Sequence, residues 1–255
     1  MRARTLHTYA WWITKFSEFC GGALTKECFE KKTHEFIEYL KREGYAPSTI
    51  RTAYAAIKMY AEGYGVNLRL TNLPPVEEKI PDYLEEEEVK KLIDGTLCLC
   101  SKAIIALLYD CALRVGELIE LNVEDVDLKD RTIFVRGREK SRSPQRLPMS
   151  EKTAEILERY IKESGLESGP LFPSSSSNGR ITNYGVYCVV RSWGEYILGK
   201  KVNPRMLRHT AAVVLRRRGV DMESIRDFLG LKTDATTRRY ARLVPTELKN
   251  IPPRL

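Results

Sequence analysis

The segment L-T-N-L-P-P-V-E-E-K-I-P-D, Leu70 to Asp82, holds Pro74, Pro75 and Pro81. Proline fixes φ and removes a backbone donor, so this stretch can be neither a helix interior nor a central strand. It reads as an extended linker over residues 71–82. The 255-residue chain is thereby expected to form two bodies, residues 1–70 and 83–255.

Before the linker every periodic run is helical. Leu6, Tyr9, Trp12, Ile13 and Phe16 recur at helical spacing over Thr5–Cys20, Phe36, Ile37 and Leu40 over Thr33–Arg42, and Ile50, Tyr54, Ile57 and Tyr60 over Ser48–Glu62. After it, L-E-E-E-E-V-K-K-L-I opens a helix with its acids at the positive end. Apolar helices are predicted over Lys102–Ala112 and Val115–Leu121. Short β-prone runs follow at Val126–Leu128, Thr132–Val135 and Gln145–Met149, split by turn sequences. They predict a three-stranded antiparallel sheet. Helices resume over Glu151–Glu163, Thr182–Leu198, Asn203–Arg218, Asp221–Leu229 and Asp234–Leu243. The expected fold is mainly α with a small antiparallel β-sheet.

The formal charge is +8, but Lys200–Leu255 alone carries 14 Lys and Arg against 5 Asp and Glu. The basic excess is concentrated in the last fifth of the chain, which points to a polyanionic partner, nucleic acid first. No apolar run is long enough to span a membrane and no signal-peptide cleavage site is evident. The expected location is the cytoplasm, on the nucleoid. Cys20, Cys28, Cys98, Cys100, Cys111 and Cys188 form no C-x-x-C pair. They are expected to be reduced thiols, and no metal site is expected.

Within the basic block, V-N-P-R-M-L-R-H-T-A-A-V-V-L-R-R-R-G-V-D (Val202–Asp221) reads as one helix. Asn203 can cap it, Pro204 suits its first position and Gly219 its end. Arg205 and Arg208 share a face near a helix start, where anions are already favoured. This box, C-A-L-R-V-G-E-L-I-E-L (Cys111–Leu121) and F-L-G-L-K-T-D-A-T-T-R-R-Y (Phe228–Tyr240) occur in that family's order and spacing in the tyrosine recombinases. Together they resemble phage and archaeal integrases and the Xer-type resolvases over nearly the whole chain.

The resemblance implies a two-domain DNA clamp: a helical core-binding domain, residues 1–70, and a catalytic domain, residues 83–255. It implies cleavage and rejoining of DNA strands through a 3′-phosphotyrosyl bond, without cofactor or metal. By position, Arg114 and Arg208 match the two family arginines and Tyr240 the nucleophile. Glu117 matches the acid that accompanies the first arginine. The catalytic lysine belongs in the hairpin turn G-R-E-K-S-R-S-P. Counting back from Pro148 selects Lys140, and counting forward from Gly137 selects Arg138. Lys140 is preferred because lysine can release a proton and arginine cannot. Two positions depart from the pattern. Arg205 stands where histidine is usual, and Leu231 where histidine or tryptophan is usual, with Lys232 beside it as a replacement donor. His209 is not the missing histidine.

Further DNA contacts are expected from Arg51, Lys58, Arg138, Arg142, Arg216, Arg238 and Arg239. The partner is double-stranded DNA, and the family analogy implies a tetramer on paired sites. Two other readings are a DNA-binding protein on the same fold that has lost catalysis and a type IB topoisomerase-like relaxing activity. A simple regulator needs neither the Arg114 box nor a basic hairpin, and the compact helical N-terminal segment favours recombination.

Overall fold

The computed structural model describes residues 3–76, 81–136, 145–174 and 179–231. The chain divides into two compact units, Met1–Glu78 and Lys79–Leu255.

The first unit is three helices: α1 (Ala3–Phe19), α2 (Lys26–Arg42) and α3 (Pro47–Glu62). Their apolar stripes meet in a core of Trp12, Phe16, Phe29, Phe36, Ile37, Leu40, Ile50 and Ile57. Phe16 packs on Phe29 and Phe36 with ring centroids 5.8 and 5.3 Å apart. α2 begins two turns earlier than its periodicity predicts. Thr25 caps it, its hydroxyl accepting from the Cys28 amide at 3.2 Å, and Phe29 extends its buried face. Glycines 21 and 22, both at positive φ, turn the chain between α1 and α2. That turn brings Cys20 and Cys28 together as a disulfide. The expectation of reduced thiols throughout is therefore corrected at this pair: tertiary proximity, rather than C-x-x-C spacing, makes it. The chain after α3 stays on the unit. Val66 and Leu68 are buried. The Tyr54 hydroxyl donates to the Leu68 carbonyl and accepts from the Leu70 amide, and the carbonyls of Asn72 and Pro74 accept from Lys41 and Arg51.

The second unit contains α4 (Glu86–Gly95), α5 (Leu99–Asp110), α6 (Val115–Ile119), a 3₁₀ turn (Val123–Asp125), β1 (Val126–Asp127), β2 (Thr132–Val135), β3 (Gln145–Pro148), α7 (Glu151–Glu163), α8 (Asn183–Leu198), α9 (Pro204–Arg217) and α10 (Met222–Phe228). α5 is its central rod: every residue from Ala103 to Leu108 is fully buried. The sheet has the order β1-β2-β3, antiparallel throughout, with Ile133 opposite both Val126 and Leu147. Ile133 and Val135 alternate inward, as a one-faced strand requires. The mainly helical fold with a small antiparallel sheet is the class expected from the sequence. The helix expected over Asp234–Leu243 and the turn of the β2–β3 hairpin lie outside the described residues.

Candidate active site

α9 starts as its sequence dictates. Asn203 accepts from the Met206 amide at 3.0 Å and Pro204 occupies the first turn; Gly219 follows the helix at φ 85°. The helix is not simply amphipathic. Residues 207–214 are all buried, and Thr210 donates to the Met206 carbonyl while accepting from the Leu84 amide. Arg208 is held inside this buried run with only 8% of its surface exposed.

A buried guanidinium must find acceptors, because desolvation is expensive without them. Arg208 donates through Nη1 to the Ala112 carbonyl and through Nη2 to the Leu229 carbonyl. Arg114, the residue just before α6, donates through Nη2 to the carbonyls of Gly230 (2.9 Å) and Leu229 (3.3 Å). Both arginines therefore converge on the backbone that ends α10. Glu117 stands between them. Its Oε1 accepts from Arg114 Nη1 at 2.5 Å and its Oε2 from the Arg114 amide at 2.8 Å; Oε2 lies 3.8 Å from Arg208 Nη1. The i,i+3 spacing of Arg114 and Glu117 is thus more than a surface pair. One buried carboxylate braces two guanidiniums.

Backbone shape delivers the acceptors. Ala112 has φ 46° and Gly230 φ 58°. The left-handed region costs a non-glycine residue about 1–2 kcal/mol, so the geometry at Ala112, whose carbonyl receives Arg208, is held by its surroundings. Ala112 is fully buried against Ala211, Ala212, Val213, Ile225 and Leu229. The boxes C-A-L-R and F-L-G thus work through main-chain carbonyls, a role that side-chain reading of the sequence misses.

Arg205 lies one turn before His209, and its Nε donates to His209 Nε2 at 3.2 Å. Arg205 is exposed, whereas His209 is buried. Leu231 is partly buried and packs with Ala112, Ala211 and Leu229. Lys140, Arg138, Arg142, Lys232, Arg238, Arg239 and Tyr240 lie outside the described residues. Arg216 sits at the end of α9 with Nη1 near the Val220 carbonyl, and its neighbours Arg217 and Arg218 pair with Glu85 and Glu86. On α3, Arg51 donates to the Pro74 carbonyl at 2.9 Å; Lys58 forms no ion pair among the described residues.

Three tyrosines of the second unit are held in the protonated form by their surroundings. Burial pushes the Tyr109 hydroxyl up to about 12 and raises Tyr160 further, with its hydroxyl donating to the Leu171 carbonyl. Tyr184 is raised by its hydrogen bond with Cys188.

The second unit is thus a helical body with a small sheet, holding two arginines braced by one carboxylate. The chain belongs to the phage integrase family: residues 82–247 match the profile described as Phage integrase family, and residues 1–64 match the Phage integrase N-terminal SAM-like domain. It is 29% identical over 249 residues to tyrosine recombinase XerA of Pyrococcus horikoshii, which covers 96% of this chain and 85% of that protein. It is 30% identical over 213 residues to tyrosine recombinase XerC of Thermodesulfovibrio yellowstonii, with 77% and 69% covered. The crystal structure of XerA recombinase superposes with a TM-score of 0.61 at 26% identity, covering 100% of this chain and 94% of that one. XerH site-specific recombinase bound to palindromic difH substrate in a post-cleavage complex shares the fold, with a TM-score of 0.77 at 20% identity over 95% and 77% of the two chains. The chain is a site-specific recombinase. Among the described residues no helix is long and apolar enough to cross a membrane.

Proposed function

We propose that this recombinase cuts double-stranded DNA by attack of the Tyr240 hydroxyl oxygen on a phosphate held by Arg114, Arg208 and Arg205. The Tyr240 O–P bond forms and the bond from phosphorus to the 5′-oxygen breaks. The tyrosine proton leaves to solvent, and Lys140 delivers a proton to the departing 5′-oxygen. The product is a 3′-phosphotyrosyl bond that conserves the phosphodiester's energy. A 5′-hydroxyl from a second strand reverses the step and completes exchange. No ATP or metal enters this scheme.

The observation that carries the reading is the convergence of Arg114 and Arg208 on the Leu229 carbonyl, eleven residues before Tyr240 in sequence, with Arg114 also reaching Gly230. Three guanidiniums against the single carboxylate of Glu117 leave two surplus positive charges. Attack by tyrosinate on a phosphodiester places two negative charges on the non-bridging oxygens. Donors fixed in advance need no reorganisation as that charge develops. The same field favours ionisation of a tyrosine, whose reference pKa is ~10. Arg138, Arg142, Arg216, Arg238, Arg239, Arg51 and Lys58 are assigned to flanking backbone phosphates, residues 71–82 to the link between a core-binding and a catalytic domain, and the working assembly to four protomers on paired sites.

Trapping on a nicked suicide duplex tests the reading. Wild type should yield a covalent adduct on a denaturing gel, with EDTA present and ATP omitted. Tyr240→Phe should bind the duplex and form none. Adduct from the Phe variant would move the nucleophile to another tyrosine.

A further inference from the structure

We infer that His209 is the positioning residue for Arg205, holding its guanidinium toward the scissile phosphate without neutralising it. The inference rests on the proposed role of Arg205. Arginine has donors and no acceptor. The 3.2 Å contact from Arg205 Nε to His209 Nε2 therefore has one direction, and Nε2 must be the unprotonated nitrogen of a neutral ring. Its proton sits on Nδ1.

The two partners differ in mobility. His209 is 8% exposed and belongs to the buried run of α9, so its ring is the fixed member. Arg205 is exposed on the first turn, where a long side chain otherwise samples many rotamers. The bond engages Nε and leaves both terminal nitrogens, the fork that fits a phosphate, for another partner. No described residue hydrogen-bonds those two nitrogens.

The choice of acceptor has a chemical logic. Arg114 and Arg208 already share the carboxylate of Glu117. A second carboxylate under Arg205 would cancel the charge that the transition state needs. An imidazole orients and leaves the charge intact. Arg205 and Arg208 flank His209 on its own helix, and α6 brings the Arg114–Glu117 pair to Arg208. The histidine usual at the position of Arg205 has thus been replaced by a charge with a neutral histidine behind it, one turn along.

The test uses the full chain, with single-turnover adduct formation at saturating suicide duplex and separate measurement of duplex affinity. Arg205→Ala should slow cleavage on the order of 10²-fold. His209→Phe, which removes the acceptor, should slow it about tenfold with affinity nearly unchanged, and His209→Gln, which keeps one, should recover most of the rate. The Arg205→Ala/His209→Phe double variant should be no slower than Arg205→Ala alone, because partners in one interaction are not additive. Multiplying losses, or a His209→Phe rate equal to wild type beside a slow Arg205→Ala, would overturn the inference while leaving the role of Arg205 standing. An unchanged Arg205→Ala rate would remove that role and the inference with it. Nitrogen-15 NMR of the wild-type ring gives a reading independent of any variant's folding: a Nδ1–H tautomer is expected, and a Nε2–H tautomer or an imidazolium at neutral pH overturns it.

Discussion

The two units of this recombinase bury different things. In the first, the core is aromatic and aliphatic, and its buried hydroxyls are satisfied by the backbone: Thr33 donates to the Phe29 carbonyl at 2.6 Å and Tyr54 to the Leu68 carbonyl at 3.0 Å. In the second, the core takes in Glu117, Asp125, Arg208 and His209. A well-packed apolar replacement for a buried ion cluster is often neutral or stabilising. Stability therefore does not account for the Arg114–Glu117–Arg208 cluster. What it supplies is a set of guanidiniums that cannot drift, as the proposed grip on a phosphate requires. Among the described residues the first unit buries no charged side chain.

That contrast is most directly broken at Arg208. Arg208→Ala should lower single-turnover cleavage by on the order of 10²–10³-fold and also destabilise the second unit by about 3–5 kcal/mol, since breaking a buried pair strands its partners. Arg208→Lys keeps the charge but loses the fork that reaches both the Ala112 and Leu229 carbonyls. It should recover part of the stability and little of the rate. If lysine restores full cleavage, charge alone is what the site needs and the double anchoring is incidental.

The difference between the units also explains what was legible in the sequence. Apolar periodicity and turn chemistry sufficed for the helices and the sheet, because each element buries one face. They failed at the start of α2, where a threonine cap and the disulfide to α1 extend the helix beyond its obvious stripe. At α9 the cap, the proline and the closing glycine placed the helix, but apolar periodicity did not show that Arg208, His209 and Thr210 are buried with it. In the site, the spacing of Arg114 and Glu117 and the pair Arg205 and Arg208 were readable as side chains. The carbonyls of Ala112, Leu229 and Gly230 were not, because an acceptor on the main chain carries no residue-type signal. His209 could be found from its i,i+4 spacing to Arg205, once that spacing is read as a hydrogen bond rather than as a missing catalytic group.

In the first unit, the matching change is covalent and should leave the chemistry alone. Closing the short loop between Cys20 and Cys28 stabilises by about 2–3 kcal/mol on chain entropy. Reduction, or Cys20→Ser with Cys28→Ser, should lower the unfolding free energy of this unit by that amount, read from denaturant melts. The cleavage rate of folded protein at saturating DNA should not move. A rate that falls with reduction would mean that the helical unit shapes the active site.

A smaller effect lies on the surface of the second unit. The Arg217 guanidinium hydrogen-bonded to Glu85 holds that carboxyl below the usual range, and the Lys200 ammonium does the same for Glu88. A depressed carboxyl contributes stability above its unfolded pKa of ~4.3, and that contribution is lost as pH falls through the folded value. Both groups are solvent-accessible, so each is worth less than about 1 kcal/mol. Melting curves from pH 5 down to 3 should show the loss in wild type and a shallower one in Glu85→Gln. Equal pH slopes would mean that the pair contributes nothing.

The least perturbing change separates binding from chemistry. Arg51 and Lys58 lie seven residues apart on α3 and so share a face, but their situations differ. Arg51 is tied to the Pro74 carbonyl, so removing it disturbs the chain leaving the unit as well as a charge. Lys58 can be changed with less collateral effect. If it neutralises one phosphate, Lys58→Ala should reduce the log–log salt slope of duplex binding by roughly 0.9. Affinity should fall uniformly across DNA sequences, because a phosphate contact carries no base information. Adduct formation at saturating DNA should stay at the wild-type rate. If Arg205 holds the scissile phosphate as proposed, Arg205→Ala should change the salt slope by a similar step and the rate as well. A Lys58→Ala protein with an unchanged slope would take the α3 face off the DNA, and one with a slower saturated rate would end the division of labour between the two units.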